Sequence, residues 1–317
     1  MYGTDDPRSK LGAAASAAAS AASATTAAST PYADAGSALR FAAAEYVKFH
    51  ELPPLESVAG RTWYARGQNF VVAYTEAVPG TVLARDNQAD EYFVLVPQRG
   101  VEVTVATPGE SLTVAGHSLM IVPPGKSSVT VNASGTIIRV FSAQSPDLVA
   151  RAANAASYSH AHPNIPSYVP WPAPPAGYRV RTYDLDVAPK EGRFGRLWRC
   201  STLMINVLPL EPGPRDRTRL SPHFHDDFEQ GSLALQGAFT HHIRWPWTAN
   251  LGDWRADDHE ECPAPSLAVI PPPAIHTSAG SDPVMNQLVD IFSPPRVDFS
   301  KMAGWVLNAD EYPMPQS

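Results

Sequence analysis

The chain has 317 residues, 44% of them apolar and 17% charged, which suits a globular protein with room for two cores and excludes a wholly disordered one. Lysine and arginine total 24 against 31 acidic residues, a net charge of −7, and no stretch carries a basic cluster, so nucleic acid and anionic membrane surfaces are set aside as partners. The 32 prolines, far above the usual share of about 5%, argue against long helices and for short strands joined by turns.

Residues 12–30 are almost entirely Ala, Ser and Thr, with no Leu, Ile, Val or Phe between Leu11 and Tyr32. A secretory signal needs an apolar core behind a basic start, whereas Asp5 and Asp6 stand beside Arg8 and Lys10, and no run approaches the ~20 apolar residues that span a bilayer. Residues 1–35 therefore read as a low-complexity, disordered tail, and the expected compartment is cytoplasmic. Cys200 and Cys262 form no CxxC and no disulfide framework, and Cys200 lies in an apolar run as a small core residue.

From Arg61 the pattern changes to short runs rich in β-branched and aromatic residues: Phe70–Tyr74, Tyr92–Val96, Val101–Val105, Ser118–Val122, Val129–Val131 and Thr136–Phe141. Turn signals separate them, which predicts a β sandwich or barrel over residues 36–150. Leu148–Ala156 reads as one short helix. Residues 151–178 form a linker, with six prolines and bulky aromatics between 157 and 178, and its His160 and His162 have no strand to aim them and are expected at the surface. Strands resume at Tyr178–Leu185, Trp198–Leu208, Gly231–Leu235, Phe239–Arg244, Ser266–Ile270 and Asn286–Phe292, so residues 179–317 read as a second β domain. A proline turn falls late in each half, Pro123-Pro124-Gly125 and Pro271-Pro272-Pro273.

The chemistry-bearing stretch is Pro222-His223-Phe224-His225-Asp226-Asp227-Phe228-Glu229-Gln230, with His276 after the second proline turn. On a strand, His223 and His225 face the same way, and a polar side chain a few residues on returns to the same spot. Three imidazoles and an oxygen donor suit a transition metal and leave coordination positions open. Adjacent strand residues face opposite ways, so Gln230, in phase with Ser232 and Ala234, is the favoured fourth ligand, and Glu229 is the alternative if a bulge shifts the strand. Of His241 and His242, one faces inward behind the ligands and the other outward. Arg244, Trp245 and Trp247 lie in an insertion whose composition suits either a pocket wall or a subunit contact.

The spacing His-x-His-x4-Gln-x6-Gly, from His223 to Gly237, resembles the first cupin motif, with Gln in the usual Glu slot. Pro271-x-Pro273-x-x-His276 resembles the second, with Pro273 in place of the usual Gly. The resemblance covers about a sixth of the chain and implies an all-β protein of two tandem double-stranded β-helix barrels, jelly-roll cupins. The first would be degenerate: with Glu91 in the Gln230 slot, Ala84, Asp86 and Ser128 stand where the second has its histidines. The resemblance further implies one divalent metal ion per chain, Fe(II) favoured with Zn, Mn or Ni as alternatives, a small-molecule substrate and a homo-oligomer, most simply a dimer. The implied activity is a non-haem iron dioxygenase acting on an aromatic or diketone-like compound. A metal-assisted isomerase, epimerase or lyase of a sugar acid or small carbonyl compound is the second reading, and a non-catalytic storage or ligand-binding bicupin the third. No catalytic acid or base is assigned.

Overall fold

The computed structural model describes residues 41–55 and 60–316, so the tail expected over residues 1–35 lies outside the described residues. Among the described residues, ten strands precede the proline-rich segment: β1 (Glu45–Lys48), β2 (Gly60–Arg66), β3 (Phe70–Ala77), β4 (Val82–Gln88), β5 (Tyr92–Val96), β6 (Glu102–Ala106), β7 (Ser111–Ala115), β8 (Ser118–Val122), β9 (Gly125–Ala133) and β10 (Gly135–Ser142). Ten follow it: β11 (Arg181–Asp184), β12 (Arg196–Arg199), β13 (Met204–Val207), β14 (Glu211–Pro212), β15 (Glu229–Gln236), β16 (Ala238–Arg244), β17 (Asp258–Pro263), β18 (Ser266–Ile270), β19 (Ile275–Gly280) and β20 (Met285–Ser293). Among the described residues the two α-helices, α1 (Pro146–Val149) and α2 (Val297–Lys301), are single turns, and no helix is long and apolar enough to cross a membrane.

Each half folds as a large and a small antiparallel sheet. The first pairs β11-β8-β5-β10-β3-β2 with β4-β9-β6-β7, and the second pairs β1-β18-β15-β20-β13-β12 with β17-β16-β19. Two strands cross the boundary the sequence suggested. The early strand β1 pairs with β18 of the second barrel, Glu45 opposite Val269, and β11, beyond the linker, pairs with β8 of the first, Arg181 opposite Ile121. Each thereby covers a sheet edge that would otherwise offer unpaired backbone groups.

The large sheets pack face to face. Phe70, Phe93, Leu95 and Ile138 of the first barrel meet Trp198, Cys200, Ile205, Leu233 and Ile291 of the second in one buried cluster. The opposite faces of the first barrel's sheets close on Val71, Val94, Met120, Val129, Ile137 and Phe141. Strands such as β5, YFVLV, and β8, SLMIV, are therefore buried on both faces, and their continuous apolar runs follow from that position. In the second barrel the apolar interior breaks into separate clusters, because Gln230, Ser232, His241 and Asp290 are buried polar residues on its strands. That break is where the candidate site lies.

The helix expected over 148–156 is shorter, ending at Val149. Asn154 explains this: its side chain accepts from the Arg66 N–H at 2.9 Å and donates to the Arg66 carbonyl at 2.8 Å, drawing the chain off the helical path onto β2. The proline-rich segment is extended and packs on both barrels. Asn69 donates to the Pro166 carbonyl, Tyr168 to Asp90, and the Trp171 N–H to the Ser201 carbonyl. His160 is exposed as expected, whereas His162 is half-buried, its ring edge-on to Tyr158.

Candidate metal centre

His223 and His276 face each other as a bridged pair: the His223 N–H donates to the His276 carbonyl at 3.0 Å and the reverse bond is 2.8 Å. Their rings are 4.4 Å apart between centroids, and His225 stands 5.0 Å from His276 and 6.3 Å from His223. The segment carrying His223 and His225 is extended but lies just outside β15, not within a strand as the spacing suggested. The alternation holds all the same: both imidazoles are buried and Phe224 between them is 46% exposed.

All three rings are oriented the same way. Nδ1 of His223 donates to the Ser221 carbonyl at 3.0 Å, that of His225 to the Phe228 carbonyl at 2.9 Å, and that of His276 to the Ala274 carbonyl at 2.9 Å. A neutral imidazole with its proton on Nδ1 carries its lone pair on Nε2, the arrangement that metal-ligating histidines adopt. Burial holds His225 neutral by pushing its pKa well below the usual range, with His276 and Arg296 adding to the effect. The ring also stacks on Phe228, at 3.8 Å and 24°.

Gln230 borders the same cavity, and Glu229 does not. The Gln230 amide nitrogen donates to Ser232 Oγ at 3.1 Å and points toward Asp290 Oδ1 at 3.4 Å, while the Ser232 hydroxyl donates to Asp290 at 2.9 Å. A carboxylate can only accept, so Asp290 fixes which end of the amide faces it and turns the carbonyl oxygen toward the imidazoles. That oxygen, and Nε2 of His225, are buried without a hydrogen-bond partner. Glu229 points the other way, into the inter-barrel contact, where it accepts the N–H groups of Gln68 at 2.8 Å and Asn69 at 3.0 Å; burial pushes its pKa up to about 7.

Among the described residues, no group of three or more His, Cys, Asp or Glu side chains stands close enough together to hold a metal ion as placed. The orphaned lone pairs weigh more. Each buried, unsatisfied acceptor costs about 1–3 kcal/mol. The donor set of three neutral nitrogens and one amide oxygen fits a divalent first-row metal.

A cavity of ≈ 580 Å³ opens onto His223, Gln230 and His276. Arg215 is held in its wall, donating to the Ser278 carbonyl and to Ser221 Oγ, both at 3.0 Å. Phe239, Leu208 and Leu288 supply an apolar side, and Asp290 a polar one.

No protein-family model matches the sequence, and no curated protein does either. Solved structures do match in fold. The oxalate decarboxylase of Lactobacillus farciminis, in a formate complex, has a TM-score of 0.53 and 16% identity over 84% of this chain and 96% of that one. The 11S globulin of Wrightia tinctoria, whose structure reveals an auxin binding site, has a TM-score of 0.52 and 9% identity over 81% and 84%. AerE of Microcystis aeruginosa has a TM-score of 0.50 and 11% identity over 80% and 99%. The fold is that of a bicupin.

The strand registers correct the alignment of the two halves. Val122 and Ile270 each precede a proline turn, and they pair with Tyr92 and Gln230 respectively. Tyr92, not Glu91, thus holds the Gln230 place, and Glu91 matches Glu229. Ala84 does pair with Ser128, as His223 does with His276, but Ala84 and Asp86 are exposed while Leu83 and Ser127 are buried. The inward positions of the first barrel are filled by Tyr92, which shares a hydrogen bond with Ser127 at 3.0 Å and stacks on Phe141.

Other expected pocket residues lie elsewhere. His241 faces inward, its Nδ1 bonded to Ser278 Oγ at 2.8 Å and its pKa lowered by burial to about 3; His242 faces out and pairs with His259. Trp245 is buried in a satellite cluster under the Arg255 guanidinium, Arg244 is exposed and paired with Asp257, and Trp247 is 75% exposed and stacked on Trp254. None of these five lines the cavity. The insertion folds back on itself because Thr248, Asn250 and Asp253 bond to one another. Arg215 and Asp290 were missed, since no local motif marks them.

Replacing Gln230 with alanine should weaken metal retention about tenfold or more, and Glu229→Gln should leave it unchanged. Dialysis against a competing chelator measures both; the reverse ranking would transfer the role to Glu229.

Proposed function

We propose that the second barrel is a mononuclear metal centre, held by His223, His225, Gln230 and His276, of an enzyme that acts on a small acidic oxygen compound. The observation that carries this reading is the set of three rings tied at Nδ1 to backbone carbonyls, beside an amide oxygen held toward them by Asp290. A divalent ion bound there supplies Lewis acidity, and iron in addition supplies a route for dioxygen. Because all four donors are neutral, they leave the ion's charge uncompensated and favour a substrate that arrives as an anion. Arg215 adds a second positive group in the wall, placed for a carboxylate or enolate. The cavity's size falls in the range of roughly 300–1,000 Å³ common to small-molecule sites, and its apolar side limits water around the bound substrate.

The favoured chemistry is iron-dependent oxygenation of an aromatic or diketone-like acid, since neutral ligands and open positions admit substrate and dioxygen together. Redox-neutral cleavage or isomerisation is the second reading, favoured by Arg215 and by the oxalate decarboxylases among the structural neighbours. The protein, stripped and reloaded anaerobically with Fe(II), Mn(II) or Zn(II), is tested on phenolic, diketone and hydroxy acids in an oxygen electrode. Oxygen uptake confined to the iron form is expected. Turnover without oxygen in the manganese or zinc form favours the second reading, and no turnover by any loaded form assigns the fold to ligand binding.

A further inference from the structure

The pairing Tyr92 with Gln230 fixes which other residues correspond. On β10, Arg139 lies opposite Val94, two residues beyond Tyr92; on β20, Asp290 lies opposite Ser232, two residues beyond Gln230. Arg139 therefore occupies in the first barrel the place that Asp290 occupies in the second. The same inward position carries a guanidinium in one half and a carboxylate in the other.

Arg139 is 4% exposed and shares a face of β10 with Ile137 and Phe141, whose side chains fill the first barrel's interior. Its Nε is buried without a hydrogen-bond partner. Its neighbour in reach is the Phe141 ring, with the guanidinium 5.5 Å from the centroid, and among the described residues no carboxylate pairs with it. A guanidinium cannot shed its charge as a buried lysine or histidine does, so burial alone would leave it costly. A cavity of ≈ 580 Å³ opens onto it, lined also by Tyr64, Asn87, Arg85 and Arg151. Arg85 stands 5.5 Å from the same Phe141 ring and is paired with Asp147, while Arg151 lies 5.8 Å over Tyr64. Asp86, at the rim, is engaged by Lys126 at 3.8 Å. Arg85 is thus matched by its acid, and Arg139 faces the cavity unmatched.

We propose that the first barrel is a second ligand site, which takes a small oxyanion, carboxylate or phosphate, on Arg139 with Arg151 at the rim. The two barrels share a fold and have opposite signs: lone pairs around a cation site in the second, a buried guanidinium around an anion site in the first. The planar fork of a guanidinium matches the two oxygens of a carboxylate or phosphate, and the Phe141 face behind it keeps water from competing. The site stands on Arg139 and the strand registers, and does not depend on a metal in the other barrel.

Thermal melts of the full chain test it, in chloride and in rising potassium phosphate or sodium benzoate at fixed ionic strength, before and after metal removal with a chelator. A saturable rise of several degrees is expected with one or both oxyanions, equal in stripped and metal-loaded protein, and the two salts separate phosphate from carboxylate ligands. Arg139→Met should melt no lower than the unaltered protein in chloride, because it removes an unpaired buried charge, and should lose the rise. Arg151→Ala should fold normally and need about tenfold more oxyanion for half the rise, a reading that stands even if the Met variant does not fold. A rise that survives in Arg139→Met, one that vanishes with the metal, an unchanged midpoint in Arg151→Ala, or no saturable rise with either salt would overturn the proposal.

Discussion

Replacing His223 and His276 together with alanine should abolish metal binding while leaving the protein folded. The two residues hold their backbones together by a reciprocal pair of hydrogen bonds that the substitution does not touch. What it removes is two of three imidazoles, and a lone His225 with one amide oxygen cannot compete with water for a divalent ion. The fold should lose less than about 2 kcal/mol, since the rings face a cavity rather than a packed core. Unaltered protein should carry one equivalent of metal per chain, because the first barrel offers Tyr92, Ser127 and a buried arginine where a second ion would sit. Elemental analysis and a melt of each protein give the answer. Two equivalents per chain, or one retained by the double variant, would sink the metal assignment; a collapsed fold would show that the histidines are structural.

How much of this was legible in the sequence differs by residue. The β architecture was readable because strand runs and proline turns are local signals. The candidate donors were readable because His-x-His, a glycine seven residues after Gln230 and a histidine beyond a proline turn are fixed spacings. Gly237 itself shows why: it has φ +76°, and a Cβ there would lie 2.2 Å from the Met285 carbonyl oxygen. That Gln230 rather than Glu229 faces the cavity also followed from strand phase. Counting failed where facing depends on partners far along the chain. Aligning Glu91 with Gln230 was out by one residue, an error that only the pairing of Tyr92 with Val122 exposes. The composition of the tryptophan insertion suited either a pocket wall or a subunit contact, and its packing is set by Arg255 and Asp258, which no local pattern links to Trp245. Asp290 stands 60 residues from Gln230 in sequence and beside it in space.

The last expected result concerns the contact between the barrels. Glu91→Ala should destabilise the protein by about 3–5 kcal/mol, more than any change at the cavity. Glu91 reaches from the first barrel into the β12–β13 turn of the second, where it accepts the Ser201 hydroxyl at 2.9 Å and the Ser201 N–H at 3.3 Å, and it also accepts the hydroxyl of Tyr312, beyond α2, at 2.6 Å. Glu229 does the same in reverse, taking two N–H groups of the β2–β3 turn. The two carboxylates are matched clasps across the apolar interface, and alanine at position 91 strands three donors in a buried contact. Burial raises the Glu91 pKa, and the hydrogen bonds from Tyr312 and Ser201 offset only part of that rise. A carboxyl whose folded pKa lies above its unfolded value contributes stability that is fully present below the ordinary carboxylate range and is lost as pH rises through the folded value. Glu91→Gln cannot ionise and keeps an oxygen and an amide to meet Ser201 and Tyr312. It should therefore melt near the unaltered protein at pH 4 and gain on it toward pH 8, while Glu91→Ala melts lower at both. If the glutamine variant shows the same pH slope as the unaltered protein, or the alanine variant melts within a degree of it, the carboxylate does not clasp the barrels and the apolar sheets alone hold them together.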